Sequence, residues 1–313
     1  MTYKKRLYIL LSLIAAMVLL LAGHIIFTSD MFSGQSSFVW IDARTAEKAD
    51  KIVFNTPSGE IELSKRGNAW FVLHNETSYP ARAARVQDLL SILSARAPWH
   101  VRSTGASAHE RFGVLNEQAA RITVYSDSIA VLDLLLGNDD GLKNETYFRR
   151  VGQNEVRSGE SGIKTYLNSP VSSWYNLRLI PESEGGQIDL NSVQRLSVHT
   201  PSGVQIFARR NRGWEITGME LSNPDVPAIE SYIRNVINIE GDGFNDSVSH
   251  NDPLFNDSRI ELQIGTGRII TIRFGEPDDT GRRLANVSGS EYIYSIPSWA
   301  AGRLFRNAES FEM

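Results

Sequence analysis

The sequence predicts an α+β protein: an N-terminal transmembrane helix, then two tandem repeats of a βββ-α-ββ-ββ-α module with antiparallel sheets. Three observations predict it. Leu7 to Phe27 is a 21-residue apolar run broken only by Ser12 and His24. Thr56-Pro57-Ser58-Gly59 and Trp70 recur, each 144 residues on, as Thr200-Pro201-Ser202-Gly203 and Trp214. Around both copies the apolar spacing passes from period two to helical spacing and back to period two, the mark of strands, a helix and more strands.

A membrane span needs about 20 apolar residues at 1.5 Å each. Lys4, Lys5 and Arg6 precede the run and no basic residue follows closely, which predicts a cytoplasmic N-terminus and an outer bulk. A cleaved signal peptide has a shorter apolar core, about 7–15 residues, ending at a small-x-small site. Here His24-Ile25-Ile26-Phe27 carries the run past Leu21-Ala22-Gly23, so the expectation is a retained single-pass anchor in the inner (cytoplasmic) membrane. Ser12, Ala16 and Gly23 fall on one side of this helix, and small residues let membrane helices pack closely. His24 falls near the outer interface.

Each copy then reads alike. Copy one has strands at Lys51 to Phe54, Glu60 to Leu63 and Ala69 to Val72. Copy two has them at Arg195 to Val198, Val204 to Phe207 and Trp214 to Ile216. Pro and Gly in the intervening turn suit a hairpin. A helix follows at Ala84 to Ala95, with Val86, Leu89, Leu90 and Leu93 on one face. Its counterpart runs from Val226 to Ile239 with Ile229, Ile233, Val236 and Ile237, opened by Asn223-Pro224-Asp225 and Pro227. Hairpins come next, at Arg121 to Leu136 and Ile260 to Phe274, with Gly137 and Gly275 closing their second strands. Two short strands and a terminal helix complete each copy, the helices near Gly162 to Asn168 and Pro297 to Arg306.

The predicted order is a cytoplasmic tail (1–6), the transmembrane helix (7–27), a stalk (28–43), a first repeat (44–180), a linker (181–191), a second repeat (192–308) and a tail (309–313). The Glu/Gly-rich run Pro181 to Gly186 marks the linker.

Composition limits the chemistry. The 313 residues include no cysteine, which excludes disulfides, thiolate catalysis, Fe–S ligation and a lipidated N-terminal cysteine. Apolar residues make 42% and charged residues 22%, the mix of a folded protein. Net charge is −4; the first 27 residues carry +3, leaving −7 outside, with signs interspersed, which argues against nucleic acid.

The pattern resembles the bacterial domain-of-unknown-function family 4340. The likeness lies in Asp50 to Trp70, the helix containing Leu89-Leu90-Ser91-Ile92-Leu93, Arg111-Phe112-Gly113-Val114-Leu115 before a strand, and Tyr147 to Leu167. Copy two departs from it at Asp252-Pro253-Leu254-Phe255-Asn256, where a Phe-Gly element is expected. The resemblance implies one transmembrane helix, β-rich units and no established catalytic residue. It also implies an accessory role beside gliding-type ABC transporter components, with the permease or a large auxiliary subunit as partner.

Candidate sites are few. Walker A, the dinucleotide fingerprint, His-Glu-x-x-His and Gly-x-Ser-x-Gly are missing. Gly265-Thr266-Gly267 reads as a hairpin turn. Ser161-Gly162-Ile163-Lys164 matches Ser-x-x-Lys without its companion motifs; copy two is read as having neither residue in register, and Ser161 as a helix cap. The acidic loops Asn138 to Gly141 and Asp242 to Asp246 lack the alternate oxygen spacing that calcium needs and read as turns. His74, His100, His109, His199 and His250 show no ligand spacing. Trp70 and Trp214 read as repeated core residues. The arginines at 149–150, 209–210 and 212, and 282–283 read as solvated strand-edge charges.

The functional expectation is a non-enzymatic, membrane-anchored accessory subunit without cofactor or metal. The alternatives are a glycan- or lipid-binding envelope module, and a serine hydrolase built on Ser161 and Lys164.

Overall fold

A computed structural model describes residues 38–56, 59–180, 188–210, 213–217, 224–306 and 308–312, together with Met17. The predicted span, with Ser12, Ala16 and Gly23, otherwise lies outside the described residues. Among those described, no helix is long and apolar enough to cross a membrane.

The chain forms two compact units that divide between Ser173 and Trp174. In the first, helix α1 (Ala43–Glu47) precedes strands β1 (Lys51–Thr56), β2 (Gly59–Arg66), β3 (Ala69–His74) and β4 (Thr77–Pro80). Helix α2 (Ala83–Ser94), β5 (His100–Ser103) and the single turn α3 (His109–Phe112) follow. Strands β6 (Ala120–Ser126), β7 (Ile129–Asp140), β8 (Glu145–Arg150) and β9 (Val156–Glu160) lead to α4 (Lys164–Leu167). The sheet is antiparallel throughout, in the order β4-β3-β2-β1-β6-β7-β8-β9-β5.

The second unit contains β10 (Val193–Thr200), β11 (Gly203–Arg210), β12 (Gly213–Thr217), α5 (Val226–Ile237), β13 (Gly243–Phe244), β14 (Ser258–Ile264), β15 (Arg268–Phe274), β16 (Arg283–Val287), β17 (Ile293–Ile296) and α6 (Ser298–Leu304). Its strand order is β12-β11-β10-β14-β15-β16-β17-β13. Element for element this is the first sheet without β4. Two antiparallel sheets with few helices make the protein α+β, and the shared strand order is the structural trace of the repeat.

Local chemistry explains the elements. In α2, Val86, Leu89, Leu90 and Leu93 are buried, one face of a 3.6-residue period. In α5 the buried face is Ile229, Tyr232, Ile233, Val236 and Ile237, and the Asp225 side chain caps the helix by accepting from Ala228 N. The Tyr232 hydroxyl, missed from sequence, donates to Leu304 O at 2.6 Å, and burial pushes it far above the usual phenol range. Asp127 and Ser128 both hold positive φ between the paired residues Ser126 and Ile129, a two-residue hairpin turn that follows the strand twist.

Several boundaries differ from the sequence reading. Trp40 and Ile41, placed in the stalk, are buried, and Phe38 pairs with Ala97, because an aromatic group of Phe38, Trp40, Trp99 and Phe148 packs edge to face there. Strand β7 does not end at Gly137 but continues to Asp140. A side chain at Gly137 would meet Phe112 O at 2.1 Å, so this glycine permits a close crossing rather than a stop. Strands β4, β5 and β13 were not anticipated. Residues 174–180 belong to the second unit, where Leu179 and Ile180 join the core that contains Trp214. Trp70 is likewise buried, at the matching position on β3.

Candidate functional site

Most sequence-flagged groups are consumed by structure. Lys164 Nζ lies 3.0 Å from Asp139 Oδ1, and Thr146 Oγ1 donates to the same oxygen at 2.7 Å. Burial alone would raise the Asp139 carboxyl, but these two donors hold it below its usual range. Lys164 is therefore paired with a carboxylate of its own unit. Strand pairing also corrects the alignment. Val156 opposes Arg149 and Ile293 opposes Asn286, an offset of 137 that sets Ser298 on Ser161 and Ala301 on Lys164. The serine is shared by the two copies and the lysine is not. The Ser161 side chain lies outside the described residues.

The acidic loops are turns and ion pairs. Asp140 accepts from Leu142 N, Asn245 from Ser247 N and Asp252 from Leu254 N. Among the described residues no group of three or more His, Asp or Glu is arranged to hold a metal ion.

The arginine pairs are not uniformly solvated. Arg149 is 5% exposed and donates to Val114 O, Gln153 O and Asn116 Oδ1. Burial lowers its guanidinium from the ordinary value, and neutral acceptors compensate. Arg150 donates to Trp40 O, and Arg209 lies over the Trp214 ring while donating to Val193 O and Leu190 O.

Two features recur in both units. The first is a latch. His109 Nε2 meets Asn154 O at 3.0 Å, and His250 Nε2 meets Ser290 O at 3.1 Å. Each fastens the connection after β5 or β13 to the turn between the last two strands. Asn286, in the place of Arg149, holds the same connection by donating to His250 O. The second feature is a clasp at the last strand. Arg102 donates to Ser158 Oγ and to Glu145 Oε2, both at 2.6 Å, and Ser158 Oγ donates to Glu145 at 2.5 Å. In the second unit Arg282 donates to the Asp242 carboxylate and to Ser295 Oγ at 3.1 Å. Ser158 and Ser295 are equivalent, as are Glu145 and Arg282, so the signs are exchanged: acid on β8 and base on the edge in one copy, the reverse in the other.

Two clefts lie in the second unit. The turn Pro253–Asn256 stands between them. One, of about 770 Å³, is lined by Leu254, Asp257, Asp278, Arg282, Arg283 and Ser295. Both of its arginines are paired with carboxylates. Arg283 reaches Asp257 at 2.7 Å and Gly275 O at 2.8 Å. Burial would raise Asp257, but the Ser258 hydroxyl and Arg283 hold its carboxyl below the usual range. The second cleft, of about 760 Å³, spreads from the same turn over β10, β14 and β15, with His199, Thr200, Ser258, Arg259, Thr271 and Arg273 in its wall. Sequence reasoning named Arg282, Arg283 and His199 but not their assembly, which depends on strands brought together from distant positions.

No curated protein and no solved structure matches this chain. Residues 70–253 match the family described as Domain of unknown function (DUF4340), a stretch that runs from the first Trp strand to the turn between the clefts. With more than half of its length in that match, the chain belongs to the DUF4340 family.

Proposed function

We propose that the protein is a non-enzymatic accessory subunit, anchored in the inner membrane by Leu7 to Phe27, whose two modules stand outside the cytoplasm and engage membrane partners. The partner expected from the family resemblance is the permease or auxiliary subunit of a gliding-type ABC transporter. The observation that carries the reading is the internal pairing of the reactive groups. Lys164 is bound to Asp139, Arg283 to Asp257, Arg102 to Glu145 and Arg282 to Asp242. A general base or nucleophile needs a free, tuned group within reach of substrate. Modules whose candidate catalytic groups are held in ion pairs offer shape and surface instead. The apolar run of the first 27 residues supports the anchor.

The test is site-specific crosslinking from the outer modules in native membranes, followed by purification in a mild non-ionic detergent. The expected product is the full-length chain joined to a multi-span subunit that co-purifies with an ATPase. A lone monomer in every detergent, or a trimmed chain released from the membrane, overturns the proposal.

A further inference from the structure

The second cleft brings two like charges together and supplies one carboxylate, Glu261, which pairs with Arg259 alone. Arg259 and Arg273 are directly opposite each other on β14 and β15, and both line the groove. Like charges facing each other across an antiparallel pair destabilise it. The first unit has no such conflict. There Arg121 stands opposite Leu135, and Arg121 is bound by Asp133 through both Nε and Nη2. In copy two, Thr271 replaces that aspartate and Arg273 replaces the leucine.

The change also opens the sheet face. In β7, Leu134, Leu135 and Leu136 are all buried, so both faces are covered at that point. In β15, Ile270, Ile272 and Phe274 are buried while Arg273 is exposed, so the outer face is clear. Arg259 spends only Nε on Glu261, at 2.9 Å. Among the described residues none hydrogen-bonds to the Arg273 guanidinium. Nearby, His199 Nε2 is buried with no hydrogen-bond partner and sits 3.6 Å from Glu261 Oε2. Thr200, Ser258 and Thr271 add hydroxyls to the wall.

We propose that this groove is an oxyanion site. Arg259 and Arg273 together take a phosphate or carboxylate carried by a hydroxyl-bearing ligand of sugar size, and the Thr200 and Thr271 hydroxyls bond its neutral oxygens. Guanidinium groups suit this role because each presents a planar fork of donors to an oxyanion. The anion removes the repulsion that the unliganded pair carries. This role stands beside the accessory function and does not depend on membrane attachment.

The test is calorimetric titration of the full chain in non-ionic micelles with glucose 6-phosphate, glucuronate, inorganic phosphate and glucose. Both sugar oxyanions are expected to bind, inorganic phosphate more weakly, and glucose not measurably. Arg273→Leu installs the residue that copy one carries at this place. It should weaken the sugar oxyanions at least tenfold while leaving the melting temperature unchanged or higher. Arg273→Gln serves the same purpose should the leucine variant fold poorly. Binding of neither sugar oxyanion overturns the proposal. So does glucose binding as tightly as glucose 6-phosphate, or wild-type affinity in a folded Arg273 variant.

Discussion

Exchanging the charges of the first clasp tests whether the two copies hold their last strands by the same device. In Arg102→Glu, two carboxylates face each other around Ser158 and the 2.6 Å bond to Glu145 is lost. A hydrogen bond to a charged partner contributes about 1.5–3 kcal/mol. Two like charges about 4 Å apart add up to ~4 kcal/mol at an effective dielectric near 20. The side chains of Arg102 and Glu145 are 27% and 17% exposed, so solvent screens much of the second contribution. The single variant should therefore lose about 3 kcal/mol, and Glu145→Arg a similar amount. The double variant restores the arrangement that Arg282 and Asp242 adopt in the second unit. It should return to within about 1 kcal/mol of the parent, a coupling of about 5 kcal/mol once both single losses are subtracted.

Amide hydrogen exchange at His100–Ser103 reads this locally, since β5 is the edge strand that Arg102 ties down. Urea unfolding followed by tryptophan fluorescence gives the total, with Trp99 reporting from the adjoining aromatic group. Additive losses, with the double variant as unstable as the sum of the singles, would refute the view that the clasp is a pairwise charge interaction.

Two other outcomes follow from matched positions. Gly137→Ala should cost about 3 kcal/mol and Gly275→Ala about 1 kcal/mol or less, measured by thermal unfolding. The first methyl would press on the Phe112 carbonyl, a backbone atom, whereas the second meets the movable end of Leu254 at 2.5 Å. The acid limb of stability should belong to Glu145, Asp139 and Asp257, each held below its ordinary value of 4.5 or 3.8. Their folded forms bind protons less readily than the unfolded chain, so their contribution is full above the ordinary values and lost as pH falls through the lowered ones. Glu145→Gln should flatten the acid limb of the first unit alone, and Asp257→Asn that of the second, in unfolding curves taken from pH 6 downward.

The frame was legible because its signals are local. Thr-Pro-Ser-Gly marks the same hairpin twice, and the spacing of Val86, Leu89, Leu90 and Leu93 can produce only one buried stripe. What escaped the sequence depends on company from elsewhere in the chain. Asn75-Glu76 makes the β3–β4 turn with positive φ at both residues but without a glycine to announce it, and Pro80 argues against a strand that is tolerated because it lies at the sheet edge. Strands β5 and β13 are too short for alternation to show. Arg149 reads as one of two exposed arginines, yet three neutral acceptors carry it into the interior. The clefts could not be read at all, since their walls join residues from β10, the turn after β13, and the β14–β15 hairpin.

Divergence between the copies indicates where function resides. Positions that build the sheet keep their character: Ile52 and Leu196, Trp70 and Trp214, and Val156 and Ile293 are all buried pairs at equivalent places. The latch keeps its histidine and the clasp its serine while the clasp charges trade places, as expected of interactions selected for holding strands together. The outer face behaves differently. At one place the first copy has Arg121, Asp133 and a buried Leu135, a neutralised and covered surface. The second has Arg259, Thr271 and Arg273, an uncovered surface where Glu261 pairs with Arg259 and leaves Arg273 in excess. Drift alone more readily removes a like-charge pair than creates one beside a cleft, because the cross-strand repulsion penalises each step toward it. A binding role in the second module supplies the compensating interaction, and the first module, with both faces of β7 covered, is left to scaffold.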